Sequence, residues 1–258
     1  MKVLAIIGSP KGKGNTYEVV RRVEEKMRGA GDVEFEYLFL RDVNLQPCRG
    51  CYICFDKGED RCPLRDDRAS IEERIQRADG VIFASPTYIM NVSGLMKNFI
   101  DRLGYVSHRP RFFKPALIVS TTGGVMVQIT LWLLQLTAEA WGFEVVGRLG
   151  VAVDPYQEKL PEAERARRGA VLEQKTARAA RRLGAAMQPK QPAPGVIKVA
   201  GFLVRKHTFE REIYRVDHDY WEKNGWLQPG VFYFYDVRLG PVKKLAAKLA
   251  SYLLIKFF

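Results

Sequence analysis

The first 155 residues contain five short strand-like segments, which alternate with segments of helical periodicity; most are apolar runs, and the second alternates Phe35, Tyr37 and Phe39 with other residues. Apolar segments without polar alternation are typical of strands buried on both faces, and parallel strands need helical crossovers. The pattern predicts an α/β fold with a doubly wound five-stranded parallel sheet of order 2-1-3-4-5. In such a sheet, ligands bind beyond the carboxyl ends of strands 1 and 3. The predicted strands are Lys2–Gly8, Val33–Leu40, Gly80–Ala84, Pro115–Ser120 and Glu144–Val153.

Composition and charge narrow the class of protein. The 258 residues are 47% hydrophobic and 27% charged, which is typical of a globular chain. No apolar run reaches the roughly 18 residues of a membrane span, and the amino-terminal apolar stretch lacks a cleavage site, so a cytoplasmic protein is predicted. The net charge of +12 is uneven: Met1–Pro155 carries 21 basic and 19 acidic residues, whereas Tyr156–Phe258 carries 20 and 10.

This asymmetry suggests a near-neutral body with a basic extension. A long basic helix is predicted over Glu158–Met187, followed by a proline-rich linker at 189–195. The predicted domains are therefore a ligand-binding body at 1–188, which includes a cysteine loop at 48–62, and a basic aromatic extension at 196–258. A basic surface can meet an acidic partner or an anionic membrane, and it can equally be a solvated face.

The loop Ser9–Thr16 joins the first strand to the first helix. Gly12 and Gly14 allow close approach of a ligand to the backbone, and a helix amino terminus favours an anion. The loop matches neither a Walker motif nor a Gly-x-Gly-x-x-Gly fingerprint. Taken alone, it is also compatible with a glycine-rich turn in which Asn15 or Thr16 caps the helix.

Three further segments accompany this loop in order: Ser85–Tyr88, Val92–Arg102 and Thr121–Gly124. Together with Gly8–Thr16 they resemble the NAD(P)H-dependent FMN reductase family of flavodoxin-like proteins, over roughly Met1–Pro155. The resemblance implies a flavodoxin-like fold and an FMN cofactor. It implies that the FMN phosphate is held by Ser9, Lys11, Gly14, Asn15 and Thr16. It implies that the isoalloxazine ring is lined by Pro86, Thr87, Tyr88, Asn91, Thr122, Gly123 and Gly124. Lys97 and Asp101 are spaced as an ordinary helical ion pair, and a structural role is favoured for them and for Arg102.

All four cysteines fall within fifteen residues: Cys48, Cys51, Cys54 and Cys62. Three thiols at steps of three with a fourth at a distance suit a 4Fe-4S cluster better than the paired knuckles of a zinc ribbon. Zinc and free or redox-active thiols remain alternatives. The compact motif is similar to that of the iron-sulfur flavoproteins, a resemblance that assigns the four cysteines as cluster ligands.

The extension concentrates aromatic residues between basic ones. Aromatic side chains of this kind can stack nucleic-acid bases, but burial within a subdomain is favoured and no nucleic-acid partner is expected. Its last stretch, Pro241–Phe258, predicts a cationic helix with Val242, Leu245, Leu249 and Leu253 on one face. Such a helix can contact a membrane surface peripherally, although packing against the protein is favoured.

The predicted function is that of an FMN-dependent oxidoreductase, a homodimer or higher homo-oligomer. It would pass electrons from NAD(P)H or ferredoxin, through FMN and a 4Fe-4S cluster, to a small acceptor or redox partner. No catalytic side chain is assigned, because a flavin carries out this chemistry itself. The alternative is an electron-transfer module without a substrate of its own, which docks acidic redox partners or a membrane surface through the basic extension.

Overall fold

The structure is a computed structural model that describes residues 1–153, 159–188 and 193–256. The chain divides into two compact units. The first consists of Met1–Arg49 and Leu64–Pro189, and the second of Gly50–Pro63 and Lys190–Phe258. The domain boundaries at 188 and 196 stay predictions, and most of the predicted linker lies outside the described residues.

The first unit contains a five-stranded parallel sheet of order β2-β1-β3-β4-β5, so the flavodoxin-like fold and the predicted strand order are confirmed. The strands are β1 (Lys2–Ile7), β2 (Glu34–Phe39), β3 (Gly80–Pro86), β4 (Pro115–Thr122) and β5 (Glu144–Ala152). β1, β3 and β4 are buried along almost their whole length, as a sheet covered on both faces requires. β3 and β4 each run two residues further than predicted, so the loop motifs begin inside the strands.

Helices cover both faces of this sheet. The described helices of the first unit are α1 (Asn15–Arg28), α3 (Arg68–Arg77), α4 (Gly94–Arg102), α5 (Val127–Ala140) and α6 (Glu162–Ala186). α1 and α6 pack together on one face, where Val20 and Leu183 join Ile82 in the core. The next strand residue, Phe83, points to the opposite face and packs against Phe99 and Phe143. The predicted start of α6 at Glu158 lies outside the described residues.

The second unit has an aromatic interior. Its helices are α2 (Ile53–Asp56), α7 (Val196–Phe209), α8 (Arg215–Lys223) and α9 (Pro241–Lys256). Phe202, Trp221 and Trp226 are buried against one another, and the Trp226 indole donates a hydrogen bond of 3.0 Å to the Phe234 carbonyl. α2 contacts α8, and α7 packs along α9. These tryptophans are interior residues, which favours the packing role over a base-stacking surface. Among the described helices, none is long and apolar enough to cross a membrane.

Candidate functional site

The loop between β1 and α1 forms a tight turn around its own backbone. Gly12 adopts a positive φ of 62°, its amide donates to the Ser9 carbonyl at 3.2 Å, and the Gly14 amide donates to the Gly12 carbonyl at 2.8 Å. No described side chain caps α1 at its amino terminus, where Gly14 occupies the N-cap position. The first amides of α1 therefore have no side-chain acceptor at this end of the helix, where the helix dipole favours an anion.

Two buried contacts fix this loop to the rest of the sheet edge. The Thr16 hydroxyl at the start of α1 lies 2.7 Å from the Thr121 hydroxyl near the end of β4. The Ser93 hydroxyl donates to the Gly8 carbonyl, and a β-carbon added at Gly8 would lie 2.8 Å from the Met96 β-carbon. Glycine at position 8 therefore allows β1 to approach α4 closely.

The segment after β3 forms a second loop beside the first. The Thr87 amide donates to the Thr121 carbonyl at 2.7 Å, which holds the loop against β4. Tyr88 and Asn91 pair through their backbones at 2.9 and 3.1 Å, with Ile89 and Met90 both at positive φ between them. This turn exposes apolar side chains, Ile89 to 92%. An exposed apolar turn at the carboxyl edge of the sheet offers a surface for a flat ring.

A third loop follows β4. The Val153 amide donates to the Thr122 carbonyl at 2.7 Å, and the Thr122 hydroxyl accepts from the Gly124 amide at 3.1 Å. Gly123 and Gly124 are exposed, and nothing lies within 4 Å of a β-carbon added at Gly124. The structure therefore brings all three predicted loops to the carboxyl ends of the neighbouring strands β1, β3 and β4.

The residues present fit FMN. A phosphate needs amide donors and positive charge, and the uncapped start of α1 provides both together with the exposed Lys11 and Lys13. The ring needs an open apolar surface with nearby polar groups, which the exposed Tyr88 and the loop at Gly123 and Gly124 supply. The predicted assignment of individual residues to phosphate and ring stays a prediction.

Two residues that sequence reasoning missed hold this region together. The Arg41 guanidinium, two residues beyond β2, donates to the Pro10 carbonyl at 2.9 Å, and its Nη1 lies 3.4 Å from the position of a Gly12 β-carbon. The Asn98 side chain on α4 donates to the Leu45 carbonyl at 2.9 Å and accepts from the Cys48 amide at 3.1 Å. The only sequence signal for Arg41 was a basic residue directly after a strand.

The charged residues of α4 form ion pairs. Lys97 contacts Asp101 at 2.6 Å on the exposed surface. The Arg102 guanidinium contacts both carboxylate oxygens of Asp66, whose side chain is only 1% exposed, at 2.7 and 2.8 Å. A buried bidentate pair of this kind fixes α4 against the segment that precedes α3, which is the structural role favoured for these residues.

The cysteine segment contains three residues with positive φ. Gly50, Tyr52 and Gly58 all have positive φ, and Cys54 lies in the single turn α2. Cys48 and Cys51 are exposed thiols, and Cys54 and Cys62 are half-buried. Among the described residues, no three or more His, Cys, Asp or Glu side chains are arranged to hold a metal ion. The assignment of Cys48, Cys51, Cys54 and Cys62 as cluster ligands stays a prediction.

Comparison with known proteins finds relatives that are named iron-sulfur flavoproteins. The chain is 31% identical over 159 residues to an iron-sulfur flavoprotein of Archaeoglobus fulgidus, a match that covers 60% of this chain and 70% of the relative. It is 41% identical over 102 residues to the iron-sulfur flavoprotein MJ1083 of Methanocaldococcus jannaschii, covering 40% of this chain and 51% of the relative. The matches thus span 51 to 70% of these two relatives.

A solved structure shares the fold at low identity. RosB, crystallised with the bound intermediate 8-demethyl-8-formylriboflavin-5'-phosphate, superposes with a TM-score of 0.57 at 11% identity and covers 93% of this chain and 92% of its own. The family model described as NADPH-dependent FMN reductase matches residues 1–158, which include all three loops. The chain therefore belongs to the NADPH-dependent FMN reductase family of oxidoreductases.

Proposed function

We propose that this chain binds FMN at the edge formed by β1, β3 and β4 and uses it to pass electrons from NAD(P)H or ferredoxin to a small acceptor or redox partner. The observation that carries the proposal is the convergence of the uncapped α1 terminus with the loops after β3 and β4. When bound, FMN supplies both hydride and single-electron chemistry, so the site needs no general base or nucleophile of its own.

In this proposal the residues of the site bind FMN and orient its ring. The phosphate ligands are Ser9, Lys11, Gly14, Asn15 and Thr16. The hydrogen bond from the Thr87 amide to the Thr121 carbonyl keeps the loops on the two sides of the ring at a fixed separation. Tyr88 and Asn91 lie on the side of β3, and Gly123 and Gly124 on the side of β4. Exposed Ile89 and Met90 cover the ring and reduce its access to water.

Lys11 provides the test of the phosphate assignment. FMN added to flavin-free protein should bind with quenched flavin fluorescence, and Lys11→Ala should weaken this binding by roughly tenfold through loss of one charge-assisted contact. Lys26→Ala removes a lysine near the other end of the same helix, where it pairs with Glu173, and should leave FMN affinity unchanged. Equal affinities for the two variants would contradict the phosphate site.

The electron donor distinguishes the enzyme from the alternative electron-transfer module. Rapid anaerobic bleaching of bound FMN by NADPH supports the enzyme. Bleaching only by reduced ferredoxin supports the module, with acidic partners docking on the basic residues that follow Tyr156.

A 4Fe-4S cluster on Cys48, Cys51, Cys54 and Cys62 is proposed as a second cofactor. Its support is the cysteine spacing and the names of the iron-sulfur flavoproteins to which the chain is similar, and the geometry of the thiols adds none. The proposed FMN chemistry does not depend on it. Iron and sulfide analysis after anaerobic purification tests it, and four iron atoms per chain in the wild type should fall sharply in Cys51→Ser.

A homo-oligomer is proposed from the surface of α5. Trp132 and Leu136, one turn apart, are 53% and 43% exposed, and large apolar side chains paired in this way are typical of an interface. Trp132→Glu combined with Leu136→Glu should shift the protein to monomers in sedimentation velocity. Val171→Glu, at a similarly exposed apolar position on α6, should not. A wild type that is monomeric at all concentrations contradicts the proposal.

A further inference from the structure

The last helix turns its most apolar face to solvent. α9 packs along α7, and its small residues Ala247 and Ser251 are buried. The larger side chains lie on the opposite side of the helix, where they form a stripe about 100° wide. This leucine stripe consists of Val242, Leu245, Leu249, Tyr252 and Leu253, which are 81, 60, 58, 56 and 57% exposed.

Positive charge borders the leucine stripe. Lys248 lies beside Leu245 around the helix, and Lys256 continues the stripe at the last described turn. Lys244 and Lys248 lie over the Phe232 ring, with their ammonium groups 5.0 and 5.5 Å from its centroid, so their stems cover the edge of the helix. The sequence has no acidic residue after Asp236.

We propose that α9 is a peripheral membrane-docking surface that lies in the plane of a bilayer rich in anionic lipid. The leucine stripe enters the boundary between headgroups and acyl chains, and the flanking lysines contact the lipid phosphates. The described part of α9 is one helix of sixteen residues with charges on its flanks, so it lies on a membrane and does not cross it. This inference goes beyond the oxidoreductase activity and does not depend on flavin.

A second copy of the chain is a poorer occupant for this face. In a two-fold dimer the same surface of both copies forms the interface. Lys248 and Lys256 of one copy would therefore lie close to the like-charged Lys248 and Lys256 of the other. α9 itself carries no acidic side chain to compensate them. An anionic bilayer satisfies both features of the surface, since it accepts the apolar stripe and attracts Lys248 and Lys256 beside it.

Vesicle flotation of the full-length protein tests the proposal. We expect the protein to float with phosphatidylcholine vesicles that contain about one third phosphatidylglycerol, and to bind vesicles of phosphatidylcholine alone at least about tenfold more weakly. High salt should release it, because the attraction between lysines and headgroups is screened.

Two variants distinguish binding through the leucine stripe from non-specific adsorption of the protein to vesicles. Leu245→Gln with Leu249→Gln changes exposed positions only, and it should lower the partition coefficient by about tenfold or more while flavin content stays constant. Ile213→Gln, at a position of the same unit that is 73% exposed, should bind like the wild type. The proposal is overturned if neutral and anionic vesicles bind equally, or if no vesicle binds. It is also overturned if the paired glutamines dissociate a dimer without changing flotation.

Discussion

Thr16 Oγ1 and Thr121 Oγ1 lie 2.7 Å apart, and both side chains are buried. This single hydroxyl pair joins the start of α1 to β4, the strand that leads into the third loop. Thr121→Val keeps the shape of the side chain and leaves the Thr16 hydroxyl without that partner. We expect the free energy of unfolding to fall by about 1 to 3 kcal/mol, and FMN affinity to fall with it. Urea denaturation and flavin fluorescence titration measure the two effects.

Thr130 on α5 provides the matched control. Its hydroxyl is buried and has no hydrogen-bond partner among the described residues. Thr130→Val should therefore be neutral, or should stabilise the protein by up to about 1 kcal/mol, because the folded state no longer buries an unsatisfied hydroxyl. A loss of stability equal to that of Thr121→Val would mean that the pair between Thr16 and Thr121 contributes nothing specific.

Gly8 is predicted to tolerate no side chain. The added methyl group of Gly8→Ala would lie 2.8 Å from the Met96 β-carbon and 3.2 Å from the Ser93 hydroxyl, so β1 or α4 must shift. We expect a cost of about 1 to 3 kcal/mol in the free energy of unfolding. Gly169→Ala, in the middle of α6 with nothing within 4 Å, should stabilise by about 0.5 to 1 kcal/mol. Thermal denaturation of both variants checks the opposite signs.

Arg41 is predicted to position the loop Ser9–Thr16, which we propose holds the FMN phosphate. Its guanidinium holds the Pro10 carbonyl and lies beside Gly12, so Arg41→Ala should loosen the loop and weaken FMN binding by roughly fivefold to tenfold. Arg77→Ala removes an exposed arginine that pairs with Glu73 on α3 and should have no effect. Fluorescence titration distinguishes them, and wild-type affinity in Arg41→Ala would count against the positioning role.

Lys114 is predicted to make the free energy of unfolding depend on pH in the alkaline range. Its ammonium group donates to the carbonyls of Ile75, Gln76 and Ala78, at 3.0, 2.7 and 2.6 Å, and burial lowers the pKa of Lys114 to about 8 from an ordinary value of 10.5. Between these two pKa values the unfolded chain binds more protons than the folded one. The free energy of unfolding should therefore rise with pH over this window.

Lys114→Met isolates this effect. The variant lacks the titrating group, so the difference in the free energy of unfolding between wild type and variant should grow in favour of the wild type from about pH 8 to 10.5. Urea denaturation at a series of pH values measures the difference. A constant difference over that range would show that Lys114 titrates alike in both states.

The fold and the three loops were predictable because strands that are buried on both faces have runs of apolar residues in the sequence. β1, β3 and β4 lack polar alternation because helices cover both of their faces, and each glycine- or threonine-rich loop follows its strand immediately. Arg41 left no such mark. Its partner is a backbone carbonyl, and no spacing of side chains encodes a contact with a carbonyl.

Hydrophobic periodicity also could not predict which face of α9 packs against the protein. The spacing of Val242, Leu245, Leu249 and Leu253 correctly predicts a shared face, and packing against the protein was favoured for it. α9 does pack, but through the side that carries Ala247 and Ser251, because small side chains allow the close approach of α7. A hydrophobic stripe specifies that a helix is amphipathic, and the fit of the neighbouring helix decides which side is covered.

The second unit is built from two segments that lie far apart in the sequence, which has a consequence for biosynthesis. Gly50–Pro63 belongs to the same compact unit as Lys190–Phe258, and its single turn α2 contacts α8. The ribosome releases the chain from its amino terminus, at roughly 5 to 20 residues per second, so Cys51, Cys54 and Cys62 emerge well before α8 has been synthesised. During that interval the three thiols lack the partner that packs against their segment in the finished protein. The order of synthesis thus leaves a period in which this segment is open to chaperones, oxidants or metal donors.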